Sequence, residues 1–277
     1  MSSRSYDCVS GFFLQDASDA DSVIIGAIPV RFGLLDDSND RWFKLWQKVR
    51  TMNEKADDQT SYKVFILGRH GEAFHNVGEA KYGTQAWDDY WSKLNGDGEI
   101  IWGPDPMLTA LGEEQARMVN QEWKNESTFG LSVPISRYCS PLTRATKTCL
   151  LTFDGLPTSA NHPVVIVENC REEYGVHSCD KRNSRTWISN HLPAFVFEQD
   201  FTEDDQIWTA TERETHAHAA IRVKSVLDWI FNTDDNDFIS ITTHGGVING
   251  LLTAVGRKHY ALPTGGVLPI IIKSILK

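Results

Sequence analysis

The chain has 277 residues, of which 41% are hydrophobic and 23% are charged, and its formal net charge is −10 at pH 7. This length suits one large domain, and the composition excludes an extensively disordered chain. The acidic balance argues against a partner that is nucleic acid or an anionic membrane, although a local arginine pocket still allows a small anionic substrate.

Cysteine usage and the first residues indicate an intracellular protein. The five cysteines are widely spaced without a C-x-x-C pair, which favours reduced thiols. Residues 1–7 lack the apolar core of a signal peptide, and no apolar run approaches the ~20 residues of a membrane span. We therefore expect a cytoplasmic location, with a nuclear location as an alternative. The sequence gives no indication of the oligomeric state.

Residues 1–62 are predicted to form an N-terminal arm that packs on a main domain of residues 63–277. Within the arm, the apolar run Val23–Ile28 favours a strand. Apolar and aromatic residues between Arg41 and Met52 recur at helical spacing and predict a helix.

The main domain alternates predicted strands with predicted helices. Strands are expected at 64–67, 133–139, 164–167, 237–243 and 267–272, and helices through Ala116–Trp123, from Ser140, through Val223–Phe231 and over 248–255. Residues from 176 to about 212 are polar, aromatic and irregular, which indicates a lid-like insertion. This alternation predicts a three-layer α/β/α fold with a mostly parallel central sheet.

Reactive side chains follow four of these strands. They are Arg69 and His70, with Asn76 soon after; Ser140 and Arg144; Arg171, Glu172 and Glu173; and Thr243 with His244. Ser140 is expected to cap a helix whose N-terminus favours anions. Because the carboxyl ends of parallel strands share one edge, these groups are expected to converge.

Two arginines, two histidines and a carboxylate are the set that phosphoryl transfer through a histidine needs. A neutral imidazole attacks phosphorus, arginines stabilise the spreading negative charge, and a carboxylic acid moves the proton. Neither a metal nor a cofactor is required. No Cys/His set has zinc-site spacing, and His216 and His218 would face apart on a helix, so no metal site is expected.

Five ordered sequence blocks resemble the histidine phosphatase superfamily, also called phosphoglycerate mutase-like. The resemblance rests on Arg69-His70-Gly71 with Asn76, Leu108-Thr-x-x-Gly112-x-x-Gln115-Ala, Ser140-Pro-Leu-x-Arg144-Ala-x-x-Thr148, Arg171-Glu172 and Thr243-His244-Gly245. The arm and the segment 174–182 are most similar to fungal phosphoglycerate mutase-like proteins. The resemblance implies a phosphoglycerate mutase-like fold.

The resemblance also implies a role for each matching residue. His70 would be the nucleophile that becomes phosphorylated, and Arg69, Arg144 and His244 would form the phosphate pocket with help from Asn76. Glu172 would be the proton donor. Many relatives have a glycine four residues after the acid, whereas Gly175 lies three after Glu172, so Glu173 remains an alternative donor.

Three functions stay open at this point. The favoured one is a metal-independent phosphatase acting on a small phosphomonoester. A phosphoglycerate mutase would use the same residues but must also bind a carboxylate. A non-catalytic phosphate-binding regulatory protein would keep the pocket without turnover. The sequence does not name the substrate.

Overall fold

The computed structural model describes residues 3–159 and 161–277. Over these residues the chain forms one seven-stranded sheet with strand order β1-β7-β2-β6-β3-β4-β5. The strands are β1 (Arg4–Val9), β2 (Thr60–Arg69), β3 (Ser136–Cys139), β4 (Val165–Ile166), β5 (Val196–Phe197), β6 (Phe238–Thr243) and β7 (Val267–Leu276).

Helices connect most of these strands. They are α1 (Ser22–Ile25), α2 (Arg41–Lys55), α3 (Phe74–Tyr82), α4 (Thr84–Asp89), α5 (Ala110–Ser127), α6 (Thr143–Phe153), α7 (Arg185–His191), α8 (His216–Thr233) and α9 (Gly245–Ala254). Among the described residues, no helix is both long and apolar enough to cross a membrane.

The sheet is mostly parallel, as predicted. β2, β6, β3, β4 and β5 run in one direction, whereas β7 is antiparallel to both of its neighbours, β1 and β2. The carboxyl ends of β2, β6, β3 and β4 therefore meet at one edge of the sheet, which is where open α/β sheets bind ligands.

The alternation of side chains along β2 divides the core into two layers. Val64 and Ile66 pack in a cluster with residues of α2, α5 and α6, whereas Phe65 and Leu67 pack in a second cluster with residues of α8 and α9. Because successive strand residues point to opposite faces, this places helices on both sides of the sheet. The predicted three-layer α/β/α architecture is confirmed.

The N-terminal residues differ from the sequence prediction at Val23–Ile28. That run starts with the short helix α1, because the Asp21 side chain accepts hydrogen bonds from the backbone N–H groups of Val23 and Ile24. Both side chains are more than four fifths exposed, at 86% and 83%, so the apolar run is not a buried strand. β1 pairs with β7 along its whole length, and the division at residue 62 remains a prediction.

The segment from 176 to about 212 is more regular than expected. It contains α7 and also β5, whose two residues pair in parallel with β4 and form the outer edge of the sheet. Ile188 and Phe195 of this segment are buried in the core. Part of the predicted lid-like insertion is therefore a fixed extension of the sheet.

Candidate active site

Backbone hydrogen bonds bring three strand ends together. The His70 N–H donates to the Thr243 carbonyl at 3.0 Å, and the Ser140 N–H donates to the Thr242 carbonyl at 3.0 Å. β2 and β3 are therefore both held against β6 at their carboxyl ends. The ring centroids of His70 and His244 lie 5.0 Å apart as a result.

His70 is a buried, neutral imidazole with one defined tautomer. Its Nδ1 lies 2.7 Å from the Gly71 carbonyl oxygen, and a carbonyl only accepts, so we assign the proton to Nδ1 and the lone pair to Nε2. Burial holds the pKa of His70 well below 6.5, and the charges of Arg144 and Arg69 lower it further. A neutral Nε2 is the form that can act as a nucleophile.

The loop after His70 is fixed from α6. The Gly71 N–H donates to the Thr148 hydroxyl at 3.0 Å, and that hydroxyl donates to the Arg144 carbonyl at 2.7 Å. Thr148 therefore links the His70 loop to the helix that carries Arg144, which gives the threonine at the end of the Ser140–Thr148 block a structural role.

The Leu108–Ala116 block fixes the same loop from α5. Thr109 caps the helix by accepting from the Gly112 N–H, and its hydroxyl donates to the Glu72 carboxylate at 2.8 Å. Gln115 accepts from the Glu72 N–H at 2.7 Å. Gly112 lies so close to the backbone of Gly71 and Glu72 that neither glycine has room for a Cβ.

Both predicted arginines lie at the site and carry a buried nitrogen without a partner among the described residues. Arg69 donates through Nη1 to the Leu262 carbonyl at 2.7 Å, and its Nε is unpaired. Arg144 is fully buried, donates to the Cys179 carbonyl and to Asp180 at 2.7 Å each, and also has an unpaired Nε. Burial lowers the pKa of Arg69.

Ser140 does not cap a helix, and this prediction was wrong. α6 begins at Thr143, whose N–H and hydroxyl both donate to the Asp105 carboxylate, at 2.8 and 2.7 Å. The anion at this helix N-terminus is thus a side chain of the protein itself. Ser140 instead places its hydroxyl 2.7 Å from Nε2 of His244. Burial is the main cause that holds the pKa of His244 well below 6.5.

Glu172 and Glu173 both line the cavity but have different surroundings. Glu172 accepts from the Glu173 N–H at 3.0 Å and from the Gly246 N–H at 3.3 Å. Burial raises the pKa of Glu172, and the negative charge of Asp180 raises it further. The Glu173 carboxylate instead contacts the ring of His216, which is largely exposed.

These groups surround a cavity of about 350 Å³. Of the six predicted site residues, Arg69, His70, Asn76 and Glu172 form part of its wall. Arg144 and His244 are wholly buried: the charge of Arg144 lowers the pKa of His70, and the His244 ring lies 5.0 Å from the His70 ring. Asn76 accepts from the Ala73 N–H at 3.0 Å, which fixes the start of α3.

Asp180 and Arg213 are wall residues that sequence reasoning did not assign. The two carboxylate oxygens of Asp180 accept separately, one from Arg144 and one from Arg213, at 2.7 Å each. Asp180 belongs to the 174–182 segment, which the family resemblance had singled out without giving it a role. Arg213 lies in no motif, so only the structure could find it.

One group of metal-ligand types lies in this wall. The ligand atoms of His177, Cys179 and Asp180 are within 4.8 Å of one another. However, both oxygens of Asp180 are bound to arginines, which neutralise the charge that a cation would need. The donor set therefore gives no support to a metal at this point.

Comparisons with known proteins place the chain in a family. The family described as "Histidine phosphatase superfamily (branch 1)" matches residues 65–264. The chain is 38% identical to a protein named "Probable phosphoglycerate mutase" from Arthroderma benhamiae, over 97% of this chain and 84% of that protein. It is 34% identical to "Phosphomutase-like protein 3" from Candida albicans, over 86% and 73%.

Among solved structures, the alpha-ribazole phosphatase from Shigella flexneri aligns with a TM-score of 0.47 and 20% identity, over 74% of this chain and 89% of that one. The sequence matches are the stronger result, because the family covers most of the chain and a relative above 30% identity spans nearly all of it. The chain belongs to branch 1 of the histidine phosphatase superfamily.

Proposed function

We propose that this protein is a phosphatase that hydrolyses a small phosphomonoester through a phosphohistidine formed on His70. One observation carries the proposal: His70 is buried at the cavity wall with its Nδ1 2.7 Å from the Gly71 carbonyl oxygen, and no described residue hydrogen-bonds to its Nε2. An imidazole held in this tautomer can attack phosphorus without first losing a proton.

The first half of the reaction moves the phosphoryl group to the protein. The Nε2 lone pair of His70 forms a bond to phosphorus while the bond to the leaving-group oxygen breaks. Glu172 gives its proton to that oxygen, so an alcohol leaves rather than an alkoxide. The raised pKa of the Glu172 carboxyl favours the protonated form that this step needs.

The second half returns the protein to its starting state. The Glu172 carboxylate, now ionised, takes a proton from water as the water oxygen attacks phosphorus and the bond to His70 Nε2 breaks. Inorganic phosphate leaves, and Glu172 again holds a proton. One carboxyl group thus serves as acid and then as base.

Groups around His70 would stabilise the negative charge on the phosphoryl oxygens. Arg69, Arg144 and His244 each have a buried nitrogen without a partner among the described residues, and buried polar atoms of this kind call for an acceptor. Phosphoryl oxygens bound at His70 would supply it, with Asn76 assisting from the wall. Fixed donors of this kind stabilise a transition state because they need no reorganisation.

Glu172 is the better candidate for the proton donor than Glu173. Burial and Asp180 favour a protonated Glu172, whereas Glu173 is paired with His216. Glu172 is also tied to the first turn of α9 through Gly246, directly after His244. This contact would keep the carboxyl group beside the phosphoryl site through both half-reactions.

A phosphoglycerate mutase is the second candidate, because relatives of this chain carry that name. A mutase must also hold the carboxylate of its substrate. The outer cavity wall instead contains Glu79, Asp88 and Glu173, whose carboxylates would repel a carboxylate of the substrate. This distribution of charge favours a phosphomonoester with a neutral leaving group and therefore favours the phosphatase.

A panel of phosphomonoesters, assayed for released inorganic phosphate, tests the proposal. Wild-type protein should release phosphate and His70→Ala should not, while His191→Ala, a substitution on α7 outside the cavity wall, should behave as wild type. Rapid quenching should trap an acid-labile, alkali-stable phosphoryl group on wild-type protein. Interconversion of phosphoglycerates without phosphate release would instead support the mutase, and His70→Ala retaining most activity would refute the mechanism.

A further inference from the structure

Arg213 reaches the cavity because the chain before α8 folds back against the Glu172 loop. The Val176 N–H donates to the Thr209 carbonyl at 2.8 Å, and the Glu214 N–H donates to the Tyr174 carbonyl at 2.9 Å. Gly175 lies between these two contacts with φ +84°, and a Cβ at this position would lie 1.8 Å from the Glu212 carbonyl. Only glycine permits this approach, which fixes the position of Arg213.

One nitrogen of Arg213 makes all of its hydrogen bonds. Nη1 donates to the carbonyls of Glu173 and Gly175 and to the Asp180 carboxylate, at 2.5, 3.1 and 2.7 Å. No described residue accepts from Nε or Nη2. The side chain is 29% exposed and forms part of the cavity wall, so these remaining donors belong to a guanidinium that a ligand can reach.

Asp180 connects Arg213 to the predicted phosphate pocket. It is 2% exposed, and it binds Arg144 with one oxygen and Arg213 with the other. Burial opposes its ionisation, but the charges of Arg213 and Arg144 outweigh burial and hold the pKa of Asp180 below its ordinary value. A single charged carboxylate therefore sets the position of two guanidinium groups, that of the fully buried Arg144 and that of Arg213 in the cavity wall.

We infer that Arg213 is a third arginine that binds the phosphoryl group of the substrate, and that Asp180 is the positioning residue that aligns it with Arg144. The inference rests on the proposed function for its substrate class. A guanidinium presents several donors in one plane and can bind a phosphate oxygen with two of them. Arg213 has these donors left over at the cavity wall, where a ligand can reach them.

Equilibrium binding of inorganic phosphate and of orthovanadate to the full chain, measured by titration calorimetry, tests the inference without requiring turnover. Arg213→Gln should bind both anions at least about tenfold more weakly than wild type, because it loses the charge-assisted hydrogen bonds to the anion. Arg213→Lys should lie between the two, because it keeps the charge but loses the planar fork.

Arg41→Gln is the matched control. Arg41 is also paired with a buried carboxylate, that of Glu126 at 2.7 Å, but it is not part of the cavity wall. This variant should lose thermal stability and keep wild-type affinity for both anions. A general loss of folding would lower affinity in both variants, so the pair separates a binding role from a structural one.

Wild-type affinity in a folded Arg213→Gln protein would overturn the inference. If that variant does not fold, a crystal structure of the wild type with orthovanadate decides: a nitrogen of Arg213 within hydrogen-bond distance of the anion is expected, and its absence overturns the inference. Failure of the proposed function would look different, because no phosphomonoester would be hydrolysed even if Arg213 bound phosphate. Conversely, a dispensable Arg213 would leave hydrolysis through His70 intact.

Discussion

Gly112→Ala should disable the site although Gly112 is not part of the cavity wall. A Cβ at this position would lie 1.9 Å from the Glu72 carbonyl oxygen, whereas ordinary van der Waals contact begins at 3.4 Å. Relief therefore requires a displacement of about 1.5 Å, the difference between these two distances. The atoms in the way are backbone, so no side chain can rotate to make room.

The displaced segment is the loop that carries His70. A misplacement of about 1 Å at a reacting group can cost roughly 10²-fold in rate, so kcat/KM for the best phosphomonoester should fall by about that factor. Overpacking should also lower the free energy of unfolding by roughly 1–3 kcal/mol. Phosphate release and thermal unfolding measure the two effects.

Gly68→Ala is the control for this prediction. Gly68 lies in β2 beside Arg69, and a Cβ there would meet nothing closer than 3.9 Å. This variant should keep most of the wild-type activity. A folded Gly112→Ala protein with wild-type kcat/KM would show that the contact between α5 and the His70 loop does not position the nucleophile.

Three further predictions concern protonation and the surrounding structure. The acid limb of the kcat/KM profile should lie well below pH 6.5, because the lowered pKa of His70 keeps it neutral; an acid limb at pH 6.5 would contradict this assignment. The alkaline limb should reflect loss of the Glu172 proton, so it should lie above pH 4.5 and disappear in Glu172→Gln. Thr148→Val leaves the buried Gly71 N–H without an acceptor, so unfolding experiments should show a loss of roughly 1–3 kcal/mol together with slower hydrolysis. Glu126→Ala removes the buried partner of Arg41 and should cost about 3–5 kcal/mol in denaturant unfolding, with phosphate affinity unchanged.

The main-domain strands could be predicted because their burial is visible in the sequence. Val64 to Leu67 is apolar at every position, and in the structure successive residues of this run point alternately into the two core layers. A strand covered on both faces needs this continuous pattern. Val23 to Ile28 has a similar apolar pattern, yet it begins as an exposed helix because the Asp21 carboxylate caps it, so a short apolar run is not by itself sufficient to predict burial.

The start of α6 could not be predicted from its own residues. Ser140 followed by proline has the residue types of a helix cap, but the group that accepts from the first helical N–H is Asp105, which lies 38 residues before Thr143 in the chain. Asp180 and Arg213 were missed for the same reason. Their partners are distant in sequence, and the segments that bring them together are irregular, so no periodicity marks them.

The sequence blocks divide physically into groups that form the cavity wall and groups that place them. Thr148 holds the His70 loop against α6, while Gly112 holds it against α5. Arg171, the neighbour of Glu172, is fully buried and binds both oxygens of Asp205. Residues of this second kind are not part of the cavity wall, yet the proposed attack of His70 on phosphorus depends on them as much as on the arginines. The wall residues alone are therefore weaker evidence for catalysis than the wall residues together with the residues that hold them in place. This chain has both groups.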